Sequence, residues 1–170
     1  TPRKNLVKML FKKGKPLKKP DDADHGYDYA LFMLNLSMRT EAELREKMLT
    51  RGYFPEVVDA VIKRLFDDRY LNDEHYAEVY IESMKRYKYY GAYMMKNKLY
   101  LKKVPKEIIE DKLQELVTEE DEREIATRYV EKEFGKLSVV RKWDYEDKQK
   151  IMRRLLARGF GIDLVKTIIS

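Results

Sequence analysis

The sequence has 170 residues, and its hydrophobic fraction of 44% is enough for one folded domain or a short array of small units. It contains no cysteine and only two isolated histidines, His25 and His75, which leaves no disulfide, thiolate, metal-binding or triad chemistry to expect. No apolar run is long enough for a membrane span or a signal peptide, so we expect a cytoplasmic protein with no membrane partner. We also expect a monomer that needs no cofactor.

The 36 basic and 30 acidic residues leave a net charge of +6, and the basic excess is concentrated in two places. The first 26 residues contain 8 basic and 3 acidic side chains. The segment Lys85–Lys106 contains 8 basic side chains and no acidic one. Such a local excess points to an anionic partner more specifically than the overall charge does.

The N-terminal residues 1–26 are predicted to form a basic extension. The sequence starts at Thr1 and not at methionine, which leaves room for residues upstream. Leu6–Phe11 (LVKMLF) is predicted to be a short strand, and the following KKGKPLKKP is typical of a turn-rich linker.

Beyond this extension, glycine and proline are scarce and apolar residues recur three and four positions apart, which predicts helices. Thr40 and Glu43 have the spacing of a capping box that opens a helix running to Arg51. Gly52 suits the left-handed cap of that helix, and Pro55 suits the first turn of the next one. This predicts a helix, a short turn and a second helix.

The apolar pattern of these two helices occurs three times in the chain. Shifts of 51 and 107 residues relate the members of each set: Leu44, Met48, Val57, Val58, Ile62 and Leu65; Met95, Leu99, Ile108, Ile109, Leu113 and Leu116; Ile151, Leu155, Leu164, Val165 and Ile169. A leading helix before each pair carries a matched alanine, Ala30, Ala77 or Ala126. We therefore predict an all-α fold of three tandem three-helix repeats, 27–71, 72–117 and 118–170, in an elongated, curved array.

Cations recur at equivalent positions near the end of each middle helix. They are Lys47 and Arg51, Lys98 and Lys102, and Arg154 and Arg158. Cations at these positions oppose the helix dipole and cap free carbonyl groups, which is a purely structural interpretation. The functional interpretation is a ladder of cations that binds a polyanion or an acidic protein groove.

The stretch KRYKYYGAYMMKNK (85–98) contains four tyrosines, five cations and no carboxylate. If 92–103 is the middle helix of the second repeat, Ala92, Met95 and Leu99 share its inner face. Tyr93, Lys96 and Tyr100 then lie together on a flank away from that face. Tyr87, Tyr89 and Tyr90 lie where the preceding helix ends, and Gly91 is predicted to provide the bend.

Three interpretations of these tyrosines remain open. The rings could stack on nucleic-acid bases while the cations contact phosphates. They could instead form a protein interface, where tyrosine is favoured because it contributes area at low entropic cost. In a purely structural role, some of them would pack between repeats.

Three short motifs on these repeats resemble the RecX family of recombinase regulators. The motifs are Arg39-Thr40-x-x-Glu43-Leu44, Asn72-Asp73-Glu74-His75-Tyr76-Ala77 followed by Gly91, and Arg158-Gly159-Phe160. The resemblance covers about residues 27–169. Ala92 stands where proline is common in the family, and Lys103 stands where glycine is usual.

The resemblance implies a nonenzymatic protein that binds the RecA recombinase filament along its helical groove. Such a protein restrains strand exchange, ATP hydrolysis and coprotease activity, and so moderates DNA repair and the SOS response. It also implies a basic concave face, to which we assign Lys85, Arg86, Lys88, Lys96, Lys98, Lys102, Arg153, Arg154 and Arg158, with Tyr93 and Tyr100 beside it.

Two other functions stay open at this stage. One is a helical module that binds single-stranded DNA without a recombinase, and the other is a scaffold for an unrelated partner. The abundant carboxylates elsewhere suit a protein groove of mixed charge more than bare phosphate. The acidic pairs Asp67-Asp68 and Asp73-Glu74 are interpreted as helix ends and caps, so we predict no catalytic residues and no enzyme.

Overall fold

The structure is a computed structural model that describes residues 17–135 and 143–170. Within these ranges every regular element is a helix, which confirms the predicted all-α class. The predicted strand Leu6–Phe11 lies outside the described residues. The chain divides into two compact units, the first containing 17–76 with 102–104, and the second 77–101 with the described residues from 105 onward.

The first unit contains α1 (Ala23–Leu36), α2 (Glu41–Arg51) and α3 (Pro55–Asp67). The predicted capping box at the start of α2 is present, because Thr40 accepts the Glu43 N–H and Glu43 accepts the Thr40 N–H. Gly52 ends α2 in the left-handed conformation with φ 106°, and Pro55 begins α3. These local signals define both helix ends as the sequence predicts.

The core of the first unit is formed by the apolar faces of these three helices. Leu44, Met48, Val58 and Leu65 are fully buried, and the matched Ala30 lies among them. At 25 cal/mol per Å², a fully buried leucine or valine side chain contributes roughly 1.5–3 kcal/mol to folding. The repeated apolar positions of α2 and α3 therefore contribute much of the core of this unit.

The second unit contains the helices of the second and third repeats. These are α4 (Asp73–Ser83), which begins in the first unit, α5 (Ala92–Leu101), α6 (Lys106–Leu116), α7 (Glu119–Phe134), α8 (Tyr145–Ala157) and α9 (Ile162–Ile169). The predicted register holds in that its positions are buried or partly buried. Met95, Leu99, Ile109, Ile151, Leu155, Val165 and Ile169 are buried, and Ile108, Leu113, Leu116 and Leu164 are partly buried. Ala77 and Ala126 are fully buried, like Ala30.

The acidic pairs also lie at helix ends. Asp67 is the last residue of α3, and Asp73 is the first of α4. The buried Asp73 carboxylate accepts the Glu41 N–H at 2.8 Å, so it caps α2 rather than its own helix. Burial raises the pKa of Asp73, and the hydrogen bond from Glu41 opposes that rise.

The turn between α4 and α5 differs from the prediction that Gly91 provides the bend. α4 continues into a π-helical segment, Met84–Lys88, and Tyr89 turns the chain in the left-handed region with φ 53°. Gly91 is needed for another reason, since a Cβ built there would lie 2.5 Å from the carbonyl oxygen of Gly159. It permits two backbone segments of the second unit to approach closely.

Candidate partner-binding surface

Tyr89 and Tyr90 follow the π-helical segment and reach helices of the third repeat within the second unit. The ring centroids of Tyr89 and Tyr129 are 6.2 Å apart. The ammonium of Lys132 lies 5.0 Å from the Tyr89 centroid, and the guanidinium of Arg128 lies 5.6 Å from it. These distances are within the range in which a cation is attracted to an aromatic ring.

A groove of about 500 Å³ opens beside these rings. We call it the aromatic–cationic groove, and its lining includes Tyr90, Lys98, Tyr129, Glu133, Arg154 and Arg158. Three of its charged side chains are cationic and one is acidic. Arg154 binds Glu133 at 3.0 Å, and its guanidinium lies 5.3 Å from the Phe134 ring. The groove therefore combines an excess of positive charge with two tyrosine rings.

Arg158 is held firmly inside this groove. Its Nη1 donates to the carbonyl oxygen of Lys88 at 2.7 Å, and its guanidinium lies 4.0 Å from the Tyr129 centroid. Its own carbonyl oxygen accepts the Gly91 N–H at 2.9 Å. Arg158 thus links the left-handed turn after α4 to the end of α8, and its position is set by both its backbone and its side chain.

Lys98, Arg154 and Arg158 of the predicted site lie together in the groove. Other predicted cations form ion pairs outside it. Lys96 lies 3.1 Å from Glu110. In the first unit, Lys102 lies 2.8 Å from Glu43.

Lys85 is largely enclosed, with 17% of its side chain exposed. Its ammonium lies 3.0 Å from Asp121 and 3.2 Å from Glu82, and it donates to the Leu116 carbonyl oxygen at 2.9 Å. Burial alone would lower the pKa of Lys85, but the hydrogen bonds to Asp121 and Glu82 outweigh burial and raise it. The charge of Lys85 is therefore matched by carboxylates within the protein.

The remaining predicted residues are accessible. Tyr93 and Tyr100 are exposed on the flank of α5 opposite the buried Met95 and Leu99, as the helical spacing predicts. The ammonium of Lys96 lies 5.9 Å from the Tyr100 centroid. Arg86, Lys88 and Arg153 are also exposed.

Sequence reasoning did not include several residues of this surface in the site. They are Tyr89, Tyr90, Arg128, Tyr129 and Lys132. Arg128 and Lys132 are four residues apart, so they share one face of α7, and Tyr129 lies in the repeated string that contains Ala126. That spacing was a usable signal, but the many acids of α7 obscured it.

The lowered pKa of Asp121 predicts a pH-dependent stability. Hydrogen bonds from the Thr118 side chain and backbone, and then from Lys85, lower the pKa of Asp121 to about 2. Because this pKa lies below that of an unfolded aspartate, the stabilisation is present above about pH 4 and is lost as the pH falls toward 2.

We expect Asp121→Asn to lower the free energy of unfolding at pH 7 by about 1–2 kcal/mol, allowing for partial exposure of the carboxylate. The difference between wild type and variant should shrink as the pH falls from 5 to 2, measured by urea denaturation. A difference that is constant with pH would show that the asparagine acts through something other than the lost charge.

The described residues contain no group of three or more His, Cys, Asp or Glu side chains arranged to hold a metal ion. No described helix is both long and apolar enough to cross a membrane.

Comparison with known proteins places each three-helix group in one family. Residues 27–65, 72–113 and 119–169 match the family models described as RecX, first, second and third three-helix domain. The regulatory protein RecX of Clostridium perfringens strain 13 is 32% identical over 155 residues, which cover 91% of this chain and 72% of that protein. That of Bacillus subtilis strain 168 is 30% identical, over 97% of this chain and 64% of that protein.

Two crystal structures share the fold. RecX from Lactobacillus salivarius superposes with a TM-score of 0.75 and 31% identity, covering 88% of this chain and 95% of that one. A second structure, of regulatory protein RecX, has a TM-score of 0.72 at 24% identity, covering 96% of this chain and 84% of that one, and bears on the fold alone. With three domain matches in order along the sequence, the chain belongs to the RecX family.

Proposed function

We propose that this protein binds the RecA recombinase filament along its groove and inhibits its recombinase, ATPase and coprotease activities. Through this inhibition it moderates DNA repair and the SOS response. Membership of a family of regulatory proteins supports a regulatory role. The chain contributes no chemistry of its own to ATP hydrolysis, so its effect on hydrolysis requires the recombinase.

The aromatic–cationic groove is the observation that carries this proposal. Lys98, Arg154 and Arg158 provide three cations against the single carboxylate of Glu133, which already binds Arg154. Tyr90 and Tyr129 provide aromatic area between the cations. Arginine and tyrosine are among the residue types that contribute most to protein interfaces, because they combine large contact area with directed hydrogen bonds.

The arrangement suits a protein partner with acidic side chains. Arg158 is already oriented by the Lys88 carbonyl and the Tyr129 ring, so little side-chain entropy is lost when it binds. An acidic side chain entering the groove would meet Lys98 and Arg158 together. We propose that this surface, rather than Lys85 or Lys102, makes the main contact with the filament.

Co-sedimentation with recombinase filaments tests the proposal. The full chain is mixed with RecA assembled on single-stranded DNA, and in parallel with the same DNA alone. We expect the protein to sediment with the filament at concentrations at which it does not bind naked DNA. Equal binding to both would instead favour the alternative function, a single-stranded DNA-binding module.

The exposed tyrosines of α5 give a second arm to this experiment. Tyr93 and Tyr100 are accessible to a base, and stacking contributes about 1–3 kcal/mol per ring in single-strand binding. If the DNA-binding alternative holds, Tyr93→Ser with Tyr100→Ser weakens binding to naked DNA. We expect these changes to leave affinity for naked DNA unchanged and to weaken filament binding, as at a protein interface.

Salt dependence separates the same two functions. A protein that neutralises several phosphates loses affinity as a power of the salt concentration. We expect a shallow dependence for filament binding, because the partner is a groove of mixed charge. A slope that corresponds to many released counterions would contradict a protein contact.

A further inference from the structure

A second groove, of about 710 Å³, lies elsewhere on the second unit. It runs along the end of α4 and the π-helical segment, and it is closed on one side by the last turn of α6. It shares no residue with the aromatic–cationic groove. We call it the acidic-rimmed groove.

The floor of this groove is apolar and accessible. Val79 and Tyr87 are 42% and 66% exposed, and Leu116 lies beside them. These three side chains give the groove an apolar part of its lining between the charged residues. The π-helical segment Met84–Lys88 places Tyr87 at this edge, and such segments interrupt the regular spacing of side chains.

The rim presents carboxylates, and the ammonium groups that balance them are less exposed. Glu78, Glu82 and Glu115 are 39%, 49% and 59% exposed. Lys112 binds Glu78 and Glu115 at 2.6 and 2.9 Å, and Lys85 binds Glu82 at 3.2 Å. These two lysines are only 14% and 17% exposed.

A ligand approaching the groove therefore meets negative charge first. The ion pairs also hold the three carboxylates in place before anything binds, which reduces the entropy lost on association. Among the described residues that line this groove, Arg86 is the single cation, and it is adjacent to Tyr87 in the chain. The charge presented to a partner is thus mainly negative around an apolar floor.

The dimensions suit a helix. The lining residues of α4, from Glu78 to Ser83, span about 8 Å at 1.5 Å per residue, and Arg86 and Tyr87 extend the groove by part of the π-helical segment, so one to two turns of a partner helix, at about 5.4 Å each, fit along it. An amphipathic helix commonly binds by laying its apolar face into such a groove. The rim then selects the charge of the residues that flank this face.

We propose that the acidic-rimmed groove docks an amphipathic helix whose aliphatic side chains are flanked by lysine or arginine. The aliphatic side chains pack on Val79, Tyr87 and Leu116, and the flanking cations reach Glu78, Glu82 and Glu115. This site is separate from the filament contact. The protein would therefore hold two partners of opposite charge on two surfaces of one unit.

Peptide binding to the full chain tests this docking site. The probe is a synthetic amphipathic helix of leucine and lysine, labelled for fluorescence anisotropy. Its matched controls are the same helix with glutamate in place of lysine, and a peptide of the same composition in scrambled order. We expect the leucine–lysine helix to bind at least tenfold more tightly than either control.

Variants locate the binding on the chain. Val79→Lys adds a like charge to the floor and should weaken the leucine–lysine helix at least tenfold, and Tyr87→Ser should weaken it in the same direction. Leu101→Lys is the matched control, because Leu101 is also an exposed aliphatic residue of the second unit and does not line the groove. It should leave the affinity unchanged.

Several outcomes would overturn the proposal. They are equal binding of the lysine and glutamate helices, no binding of any peptide, and an affinity that Val79→Lys and Tyr87→Ser do not change. Self-association of the chain that Val79→Lys abolishes would show that a second copy occupies the groove instead. Val79→Lys should co-sediment with recombinase filaments as wild type does. A failure of the peptide-docking proposal is therefore distinguishable from a failure of the recombinase proposal.

Discussion

Replacing Gly159 with alanine is expected to lower the free energy of unfolding by about 3 kcal/mol, as measured by urea denaturation. A Cβ at this position would lie 2.4 Å from the backbone nitrogen of Met94 and 2.7 Å from its Cβ. The backbone there has φ +86°, a conformation that disfavours any residue with a side chain. Overpacking costs about 1–3 kcal/mol and the left-handed conformation adds about 1–2 kcal/mol, so the two effects together account for the expected loss.

Gly161→Ala is the matched control for this prediction. No atom lies within 4 Å of a Cβ built at Gly161, and its φ is −67°, so we expect a change within about 0.5 kcal/mol. Gly91→Ala should lower the free energy of unfolding by about 1–3 kcal/mol through overpacking alone, because its Cβ would meet the Gly159 carbonyl oxygen at 2.5 Å. If Gly159→Ala is as stable as Gly161→Ala, the backbones at Gly159 and Met94 do not approach closely enough to require glycine.

Reversing two charges of the aromatic–cationic groove is expected to reduce recombinase inhibition at least tenfold, about 1.4 kcal/mol of binding free energy. The variant is Lys98→Glu with Arg154→Glu. Both side chains line the groove, Lys98 from α5 and Arg154 from α8. The buried side chains of these two helices are unchanged in the variant. Arg154→Glu also removes the ion pair with Glu133. The lost ion pair and the lost interactions with the helix dipoles should each cost about 0.3–1 kcal/mol of stability, so the variant should still fold.

The control carries the same charge change at positions outside the groove. Lys63→Glu with Lys166→Glu replaces two exposed lysines by glutamates, and neither residue lines the groove. Inhibition of strand exchange and of filament ATP hydrolysis should match wild type in this control. If both double variants lose inhibition equally, net charge governs the effect and the groove has no special role.

The sequence predicted the helices and their buried faces because those features depend on local signals. The capping box at Thr40 and Glu43, Gly52 after α2 and Pro55 at the start of α3 are all short-range patterns. The repeated apolar register could be read without structure, since a helix buries residues three and four positions apart. The matching helix starts at Glu41 and Ala92 follow the predicted shift of 51 residues.

The sequence could not predict which cations find internal partners. Lys85 and Lys98 look alike in the sequence, yet Lys85 binds Asp121 while Lys98 lies 6.0 Å from the Tyr90 ring. Asp121 is 36 residues from Lys85 in the chain, so only the packing of α7 brings the two together. Gly91 shows the same limit, because glycine is required there by the close contact with Gly159 and not by the backbone conformation of Gly91 itself.

A photo-crosslinker attached to the groove tests the central claim most directly. Ala157 is exposed and lines the aromatic–cationic groove, and the sequence contains no cysteine, so Ala157→Cys provides a single labelling site. On RecA filaments assembled with single-stranded DNA, the account predicts crosslinks from this site to a recombinase subunit, and few from a label at Lys166→Cys. Crosslinks to the DNA strand alone, or equal crosslinking from both sites, would contradict it.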